Sequence, residues 1–381
     1  MHTFRTVSDI RIARGGAARL AAHLGGLPAS RVAVVTDKGV RALGLLDAGL
    51  ASLREAGLEV RVWDGVVADP PEEVVVGIAR GIREWRADLV VGFGGGSPMD
   101  TAKVAAVLAV GDAPIAERIK GLYGVGNAKG PRLPLVLVPT TAGTGSEVTN
   151  VAIITTGKTA KAGIVADALY ADRALLDPEL TRGLPPAATA ATGIDAMVHA
   201  VEAYTSQHQK NPISDALSLA ALAKLRGAVV RAVQDGADMD AREDMLVGAM
   251  LAGQAFSNAP VGAVHGLAYP LGGFFHVPHG LSNSLVMVEV MRFNREEARA
   301  ARWYGEIAES LGLRPRAGAL IAEVERLQEA VKVQRRLREV DIPESAIPMM
   351  ADDAITKERV LRNNPREVGY GDIVEIYRRI A

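Results

Sequence analysis

The sequence predicts an α/β N-terminal domain built on a parallel sheet, followed by an all-α C-terminal domain. Three observations carry this. Apolar strand-like runs alternate with helix-period segments through the first part of the chain. Strand signals fade after DPELTRGLPPAATAATGID. Long Ala- and Leu-rich helical stretches fill the remainder. Pro185 and Pro186 mark the change, so the domains are expected at residues 1–183 and 184–381. The cleft between two such domains is where a ligand is expected.

The elements follow in order. RVAVVTDKG reads as a buried strand ending in a turn, and RALGLLDAGLASLREAG as a helix. LEVRVWDGVV is a second strand. PEEVVVGIARGIREWRA is a helix that opens on Pro and two acids, as the helix dipole favours. DLVVGFGGGS is a strand ending in Gly, PMDTAKVAAVLAV a helix, and LPLVLVPTT a further strand. Continuous apolar strands, rather than alternating ones, argue for a parallel sheet covered on both faces.

Composition narrows the function. The chain has 381 residues, of which 49% are hydrophobic and 23% charged, with a net charge of −1. That is an ordinary globular balance, and it favours neither nucleic acid nor an anionic membrane. There is no Cys. Disulfides, thiolate nucleophiles and iron–sulfur clusters are therefore excluded, and any metal must be held by N and O donors. The N-terminal MHTFRTVSDIRIARGG has no apolar signal core, the C-terminal IYRRIA has no lipidation pattern, and LPLVLVPTTAG is too short to span a bilayer. A cytoplasmic protein is expected.

GFGGGSPMDTAK differs from the G-x-G-x-x-G fingerprint, because Met99 stands where the last Gly would fall. The mechanism is still that of a phosphate-binding turn. Gly94, Gly95 and Gly96 allow close backbone approach. Ser97 is expected as N-cap, Pro98 as the first helical residue, and Asp100 in a capping-box-like position, so that first-turn N–H groups face a pyrophosphate. PTTAGTGSE follows the next strand, where open α/β sheets bind ligands, and brings Thr140, Thr141 and Thr144 as hydrogen-bonding groups. Asp37, at the end of the first clear strand, suits an adenosine ribose and repels a 2′-phosphate, favouring NAD over NADP. Lys161 either reaches cofactor hydroxyls or is a surface charge.

A second group of residues points to a metal. In TGIDAMVHAVE, Asp195 and His199 lie four apart and share one helix face. Glu202 follows one turn later and either orients a ligand or pairs with a cation. His265 and His279 stand on either side of Pro270 and Gly272–Gly273, which are expected to fold the chain back and let the two imidazoles converge. One carboxylate and three imidazoles suit Fe²⁺ or Zn²⁺. A metal beside a dinucleotide suggests metal-assisted hydride transfer.

Taken together, VVTDKG, GGGSPMDTAK, PTTAGTGSEVT, TGIDAMVHAVEAY, FSNAPVGAVHGLAYPLGG, HVPHGLSN and NNPRE resemble the iron-dependent (group III) alcohol dehydrogenase family, in family order and over almost the whole chain. The resemblance implies a Rossmann-like N-terminal domain, a helical C-terminal domain and a dehydroquinate synthase-like architecture. It implies Asp195, His199, His265 and His279 as ligands of Fe²⁺, with Zn²⁺ in some members. It also implies that Gly95, Gly96, Ser97, Thr140, Thr141 and Asp37 face NAD, and that the chain forms a homodimer or a higher homo-oligomer. The substrate would be a small alcohol, diol, aldehyde or hydroxyacid.

One departure bears on proton transfer. HGLAYPLG carries Tyr269 where many relatives have a further His. A phenol titrates near 10 and is a poor base at neutral pH. His276 is the other candidate. For each the alternative is a structural place, Tyr269 in the pocket wall and His276 beside the ligand His279. Because some branches that act on short hydroxyacids also carry Tyr here, a hydroxyacid–oxoacid transhydrogenase or a 4-hydroxybutyrate-type dehydrogenase is a second reading. A dehydroquinate synthase-like lyase would need more Lys and Arg near the ligands, and a metal-free maleylacetate reductase-like enzyme would lack the full ligand set. A non-catalytic nucleotide-binding protein is a further alternative. Pocket residues are expected from Thr149 to Val151, after Tyr204 and from Phe256 to Val261, with Lys210 meeting either a substrate carboxylate or solvent.

Overall fold

The computed structural model describes residues 2–157 and 160–381. Its first unit comprises Thr6–Thr141 and Gly145–Arg182. Here the strands β1 (Ile10–Ile12), β2 (Arg31–Asp37), β3 (Glu59–Val66), β4 (Leu89–Gly94), β6 (Leu135–Pro139) and β9 (Arg173–Leu176) form a sheet in the order β1-β9-β6-β4-β2-β3. Every neighbouring pair is parallel. The two-residue β5 (Gly124–Val125) lies parallel to β8 (Ala160–Val165), which pairs antiparallel with β7 (Val151–Thr156) in a separate small sheet.

The apolar strands are explained by cover on both faces. Val32, Val34, Leu89, Val91, Phe93, Val136 and Val138 share a core with Leu20, Leu24, Leu46, Leu50 and Leu53. The alternate residues Ala33, Val35, Val90, Leu135 and Leu137 are equally buried. Helix α4 (Gly96–Leu108) packs on β2, β4 and β6 and against α3 (Glu72–Glu84). Each such side chain removed from water contributes about 1.5–3 kcal/mol. The expected helix after β2 is broken into α1 (Lys38–Ala42) and α2 (Asp47–Glu55), because Gly44 takes a positive φ of 68° between them. A short α5 (Ile115–Arg118) completes the unit.

The second unit comprises Gly183–Ala381 with the chain up to Arg5 and the loop Ala142–Thr144. Its helices are α6 (Pro186–Tyr204), α7 (Pro212–Gln234), α8 (Met239–Asn258), α9 (Ala263–Phe275), α10 (His279–Asn294), α11 (Ala298–Ser310), α12 (Ala317–Ala330), α13 (Ile347–Ala354), α14 (Glu358–Leu361) and α15 (Tyr370–Arg379). Pro186 is the first residue of α6, where a missing N–H costs nothing. α6 is central, packed by α7, α8 and α10, and is buried all round from Gly193 onward, which is why its sequence lacks a polar face. No described helix is long and apolar enough to cross a membrane.

The stretch between His265 and His279 differs from its expectation. Pro270, Gly272 and Gly273 do not make a turn but lie within the continuous helix α9. Burial of Leu267, Ala268, Pro270 and Leu271 outweighs the lost backbone hydrogen bond. The chain reverses only afterwards, at His276, which takes a left-handed φ of 55° as the C-cap. Its N–H donates to Gly272 O at 3.1 Å, and that of Val277 to Leu271 O at 3.3 Å.

Candidate metal centre and glycine-rich turn

In the helical unit, α6 presents Asp195 and His199 one turn apart, α9 carries His265 in its first turn, and α10 begins with His279. One ligand atom from each lies within 4.8 Å of all the others. Four donors around one ion at about 2.1 Å stand roughly 3–4 Å apart, so small side-chain rotations would close the set. Asp195 is 1% exposed, His265 3% and His199 4%. The His279 side chain is 37% exposed and is the most accessible member of the cluster.

The surroundings hold these donors in ligand form. Glu202 Oε2 lies 2.6 Å from His265 Nδ1, and its Oε1 accepts from Val264 N at 2.7 Å. The carboxylate thus takes the Nδ1 proton's hydrogen bond, caps α9, and leaves the Nε2 lone pair facing the cluster. Of the two roles open for Glu202, the geometry is that of orientation. Burial pushes the His199 imidazole down to about 3 against the pull of Asp195, so it stays neutral. Burial raises the Asp195 carboxyl, but the three imidazoles and the Asn283 amide outweigh it and bring it below its ordinary value. A carboxylate with three imidazoles, in the absence of any sulfur donor, fits a divalent ion of borderline softness.

Further residues surround the cluster. Gly280 allows α10 to begin against α6, since a Cβ there would stand 2.5 Å from Ala191 O and 3.2 Å from Asp195 Cβ. Asn283, one turn past His279, places Nδ2 2.6 Å from Asp195 Oδ1. The NNPRE motif steadies the segment before α9. Asn363 Nδ2 donates to Val261 O at 3.0 Å, and Asn364 Oδ1 accepts from Ala263 N at 3.4 Å. Phe256 stacks on the His199 ring with centroids 4.4 Å apart.

In the sheet unit, setting β1 aside, the parallel strands in chain order take the arrangement 2-1-3-4-5. The order reverses between β2 and β4, and ligands bind outside the strand ends at such a switch point. Asp37 ends β2 and the glycine turn ends β4, so both flank it. Gly94 has φ 151°, and a Cβ there would lie 2.7 Å from Pro98 Cγ and 3.5 Å from Asp37 Oδ2. Asp37 Oδ1 caps α1 by accepting from Val40 N at 2.9 Å.

The start of α4 corrects the expectation. Gly95 is the N-cap, no side chain caps the helix, and Ser97 and Pro98 lie inside the first turn. The turn at Gly94 has already redirected the chain, so the helix begins earlier than Ser97. Asp100 is therefore too deep in the helix to cap it. Its Oδ1 accepts from Ser146 Oγ at 2.6 Å and its Oδ2 from Ile153 N at 2.9 Å. Lys103, fully buried, donates to Ser146 Oγ at 2.7 Å, Thr149 Oγ1 at 3.1 Å and Val151 O at 2.8 Å. Burial lowers its amine against the pull of Asp100. Burial pushes the neighbouring Glu147 carboxyl up to about 7, with Lys103 opposing. Of the residues expected in a substrate wall, Thr149 joins this cluster through its hydroxyl and Val151 through its backbone carbonyl.

The remaining candidates fall in varied places. Thr140 is buried, and its N–H donates to Gly94 O at 2.9 Å, tying the Thr-rich loop to the glycine turn. Thr141 is half-buried in the same unit, whereas Thr144 belongs to the helical unit. Lys161 pairs with Asp69 at 2.7 Å. Tyr269 is half-buried one turn past His265. Burial pushes its phenol above its ordinary value, Arg359 opposes, and Glu202 and Asp195 add to the rise. That leaves it a weak acid and no base at neutral pH. His276 is exposed. Lys210 Nζ donates to Asp215 Oδ1 and to Tyr204 O, both at 2.6 Å, partners its sequence position did not reveal.

A parallel sheet with a glycine turn at its switch point, accompanied by a helical unit bearing a largely buried Asp–His₃ cluster, defines an α/β–α protein with a candidate metal centre. Comparison with known proteins agrees. Residues 8–178 match the family model "Iron-containing alcohol dehydrogenase", and residues 189–381 match "Fe-containing alcohol dehydrogenase family, C-terminal". The chain is 41% identical to long-chain-alcohol dehydrogenase 1 of Geobacillus thermodenitrificans over 92% of this chain and 89% of that one. It superposes on a crystal structure of 1,3-propanediol oxidoreductase with a TM-score of 0.93 at 33% identity, covering all of both chains. It also superposes on sulfoacetaldehyde reductase from Bifidobacterium kashiwanohense in complex with NAD⁺, with a TM-score of 0.90 at 28% identity over 100% of this chain and 99% of that one. The chain belongs to the iron-containing alcohol dehydrogenase family, and it is an oxidoreductase of that class.

Proposed function

We propose that this protein is an NAD-dependent, metal-dependent alcohol dehydrogenase that interconverts a small alcohol or diol with its aldehyde or ketone. The observation that carries the reading is the convergence of buried Asp195, His199 and His265 with half-buried His279, in which the Asp195 carboxyl is held below its ordinary value and burial pushes the His199 imidazole down. These four would hold Fe²⁺, or Zn²⁺ in its place. The bound ion would act as a Lewis acid on a substrate oxygen. Residues 1–183 would hold NAD, with the Gly95–Ser97 turn at the pyrophosphate, Asp37 at the adenosine ribose, and Thr140, Thr141 and Thr144 as hydrogen-bonding groups. NAD supplies the hydride acceptor. Residues 184–381 would hold the ion.

The chain's own residues have distinct tasks. Glu202 keeps His265 in the tautomer that offers Nε2. Phe256, against His199, excludes water from one flank. Asp100 and Lys103 shape the loop from Ser146 to Val151 rather than touching coenzyme. The Tyr269 phenol, pushed up by burial, is a poor proton acceptor at neutral pH, which leaves His276 as the other candidate in the relay. Lys210, the cation in view for a substrate carboxylate, is committed to Asp215, which favours neutral alcohols over hydroxyacids. The protein would work as a cytoplasmic homodimer or higher homo-oligomer, and gel filtration with light scattering checks the assembly.

The test is direct. Anaerobically purified protein loaded with Fe²⁺ is mixed with NAD⁺ or NADH and a panel of short alcohols, diols and aldehydes, and the reduced-nicotinamide absorbance is followed. Turnover that disappears on chelation and returns with metal is expected. Undiminished turnover after complete metal removal would refute the reading.

A further inference from the structure

Asn283 is fully buried, and its hydrogen bonding is lopsided. One nitrogen, Nδ2, lies 2.6 Å from Asp195 Oδ1 and 3.2 Å from both His265 Nε2 and His279 Nε2. The other end, Oδ1, is buried without a hydrogen-bond partner. A side chain kept for packing alone would satisfy both ends, and an orphaned buried acceptor is costly. The orientation of the amide follows from its neighbours. Glu202 Oε2 accepts the hydrogen bond of His265 Nδ1–H, which leaves Nε2 of that tautomer as an acceptor, as is the Asp195 carboxylate. Turning the amide over would put its oxygen against two acceptors.

Each imidazole Nε2 has a single lone pair, which a cation would take. A carboxylate oxygen has lone pairs to spare. The bond from Asn283 to Asp195 is therefore the one compatible with a bound ion. We propose that Asn283 is a positioning residue for the metal centre. Its amide fixes the Asp195 carboxylate so that the remaining lone pairs aim at the three imidazoles, and it does so from one turn past His279 on the same helix, coupling the acid on α6 to the imidazole on α10. The inference rests on the metal-site reading above. The outer partners of metal ligands typically set 10- to 100-fold in affinity, and Asn283 belongs to that group without being a ligand.

The experiment measures Fe²⁺ affinity by competition with a chelator under anaerobic conditions, together with the rise in Tm on adding Fe²⁺, for wild type, Asn283→Ala and Asn283→Ser. Roughly 10- to 100-fold weaker binding is expected in both variants, with a smaller metal-induced rise in Tm. A merely structural asparagine would lower Tm equally with and without metal and leave affinity unchanged, which overturns the proposal. Tighter binding in the variants, the mark of an amide that competes with the ion, overturns it as well. If Asn283→Ala does not fold, Asn283→Ser, which keeps a polar group but loses the reach, decides the matter. Wild type that binds no Fe²⁺ would remove the metal-site reading itself, whereas equal binding by all three removes only this one.

Discussion

The carboxylate of Glu202 stands behind the imidazole of His265, Oε2 to Nδ1 at 2.6 Å, while its other oxygen holds the backbone of Val264. One side chain on α6 thereby sets both the start of α9 and the proton position on a candidate ligand. In Glu202→Gln an amide NH₂ facing Nδ1 would reverse the tautomer and move the imidazole proton to Nε2. Metal affinity should fall roughly 10- to 100-fold. Chelator competition measures it, and unchanged affinity would show that Glu202 only packs.

Gly280 is the point where α10 meets α6. Gly280→Ala places a methyl 2.5 Å from the Ala191 carbonyl, which is backbone and cannot swing aside. The variant should lose about 1–3 kcal/mol of stability. It should also lose metal, because His279 begins the displaced helix. Denaturant unfolding and elemental analysis give the two readouts, and retention of both would show that the helix contact is not needed.

Asp37 combines two jobs, since its Oδ1 caps α1 while its carboxylate flanks the switch point. Asn caps as well as Asp but carries no charge. Asp37→Asn should leave Tm nearly unchanged and relax the preference for NAD over NADP, as seen in the ratio of kcat/KM for the two coenzymes. An unaltered ratio would move the ribose contact elsewhere.

Glu147 predicts a pH effect of unusual sign. Burial pushes its folded-state pKa up to about 7 from an ordinary 4.5. The folded protein therefore holds this proton in a range where the unfolded chain has released it, and stability is lost as pH rises from 4.5 through about 7. The loss is on the order of 3 kcal/mol. Glu147→Gln should be close to wild type near pH 4 and relatively more stable near pH 8. Urea unfolding of both proteins at the two pH values tests this, and a difference that does not vary with pH would disprove it.

The sheet was legible where strands are covered on both faces. β2, β3, β4 and β6 announce themselves as apolar runs, since neither face meets water. β1, β5 and β9 did not, because strands of two to four residues carry too few side chains to show a period. The β7–β8 hairpin mixes Thr, Lys and Gly with apolar residues and reads as loop. Within the helix from Ala263 to Phe275, Pro270 and Gly272–Gly273 carry a local turn signal. Local propensity lost there to burial.

Residue types and short spacings determined the essentials: a doubly covered α/β part, a helical part, and one acid with three imidazoles as candidate donors for a cation. Helical periodicity put Asp195 and His199 on one face without any tertiary information. Only the folded chain decided that Glu202 orients rather than pairs, that Lys210 and Asp100 are occupied, and that Asn283 grips a carboxylate 88 residues away. The physical reason is that a polar side chain's role is set by which partner reaches it after burial removes water, and distant partners leave no local pattern in the sequence.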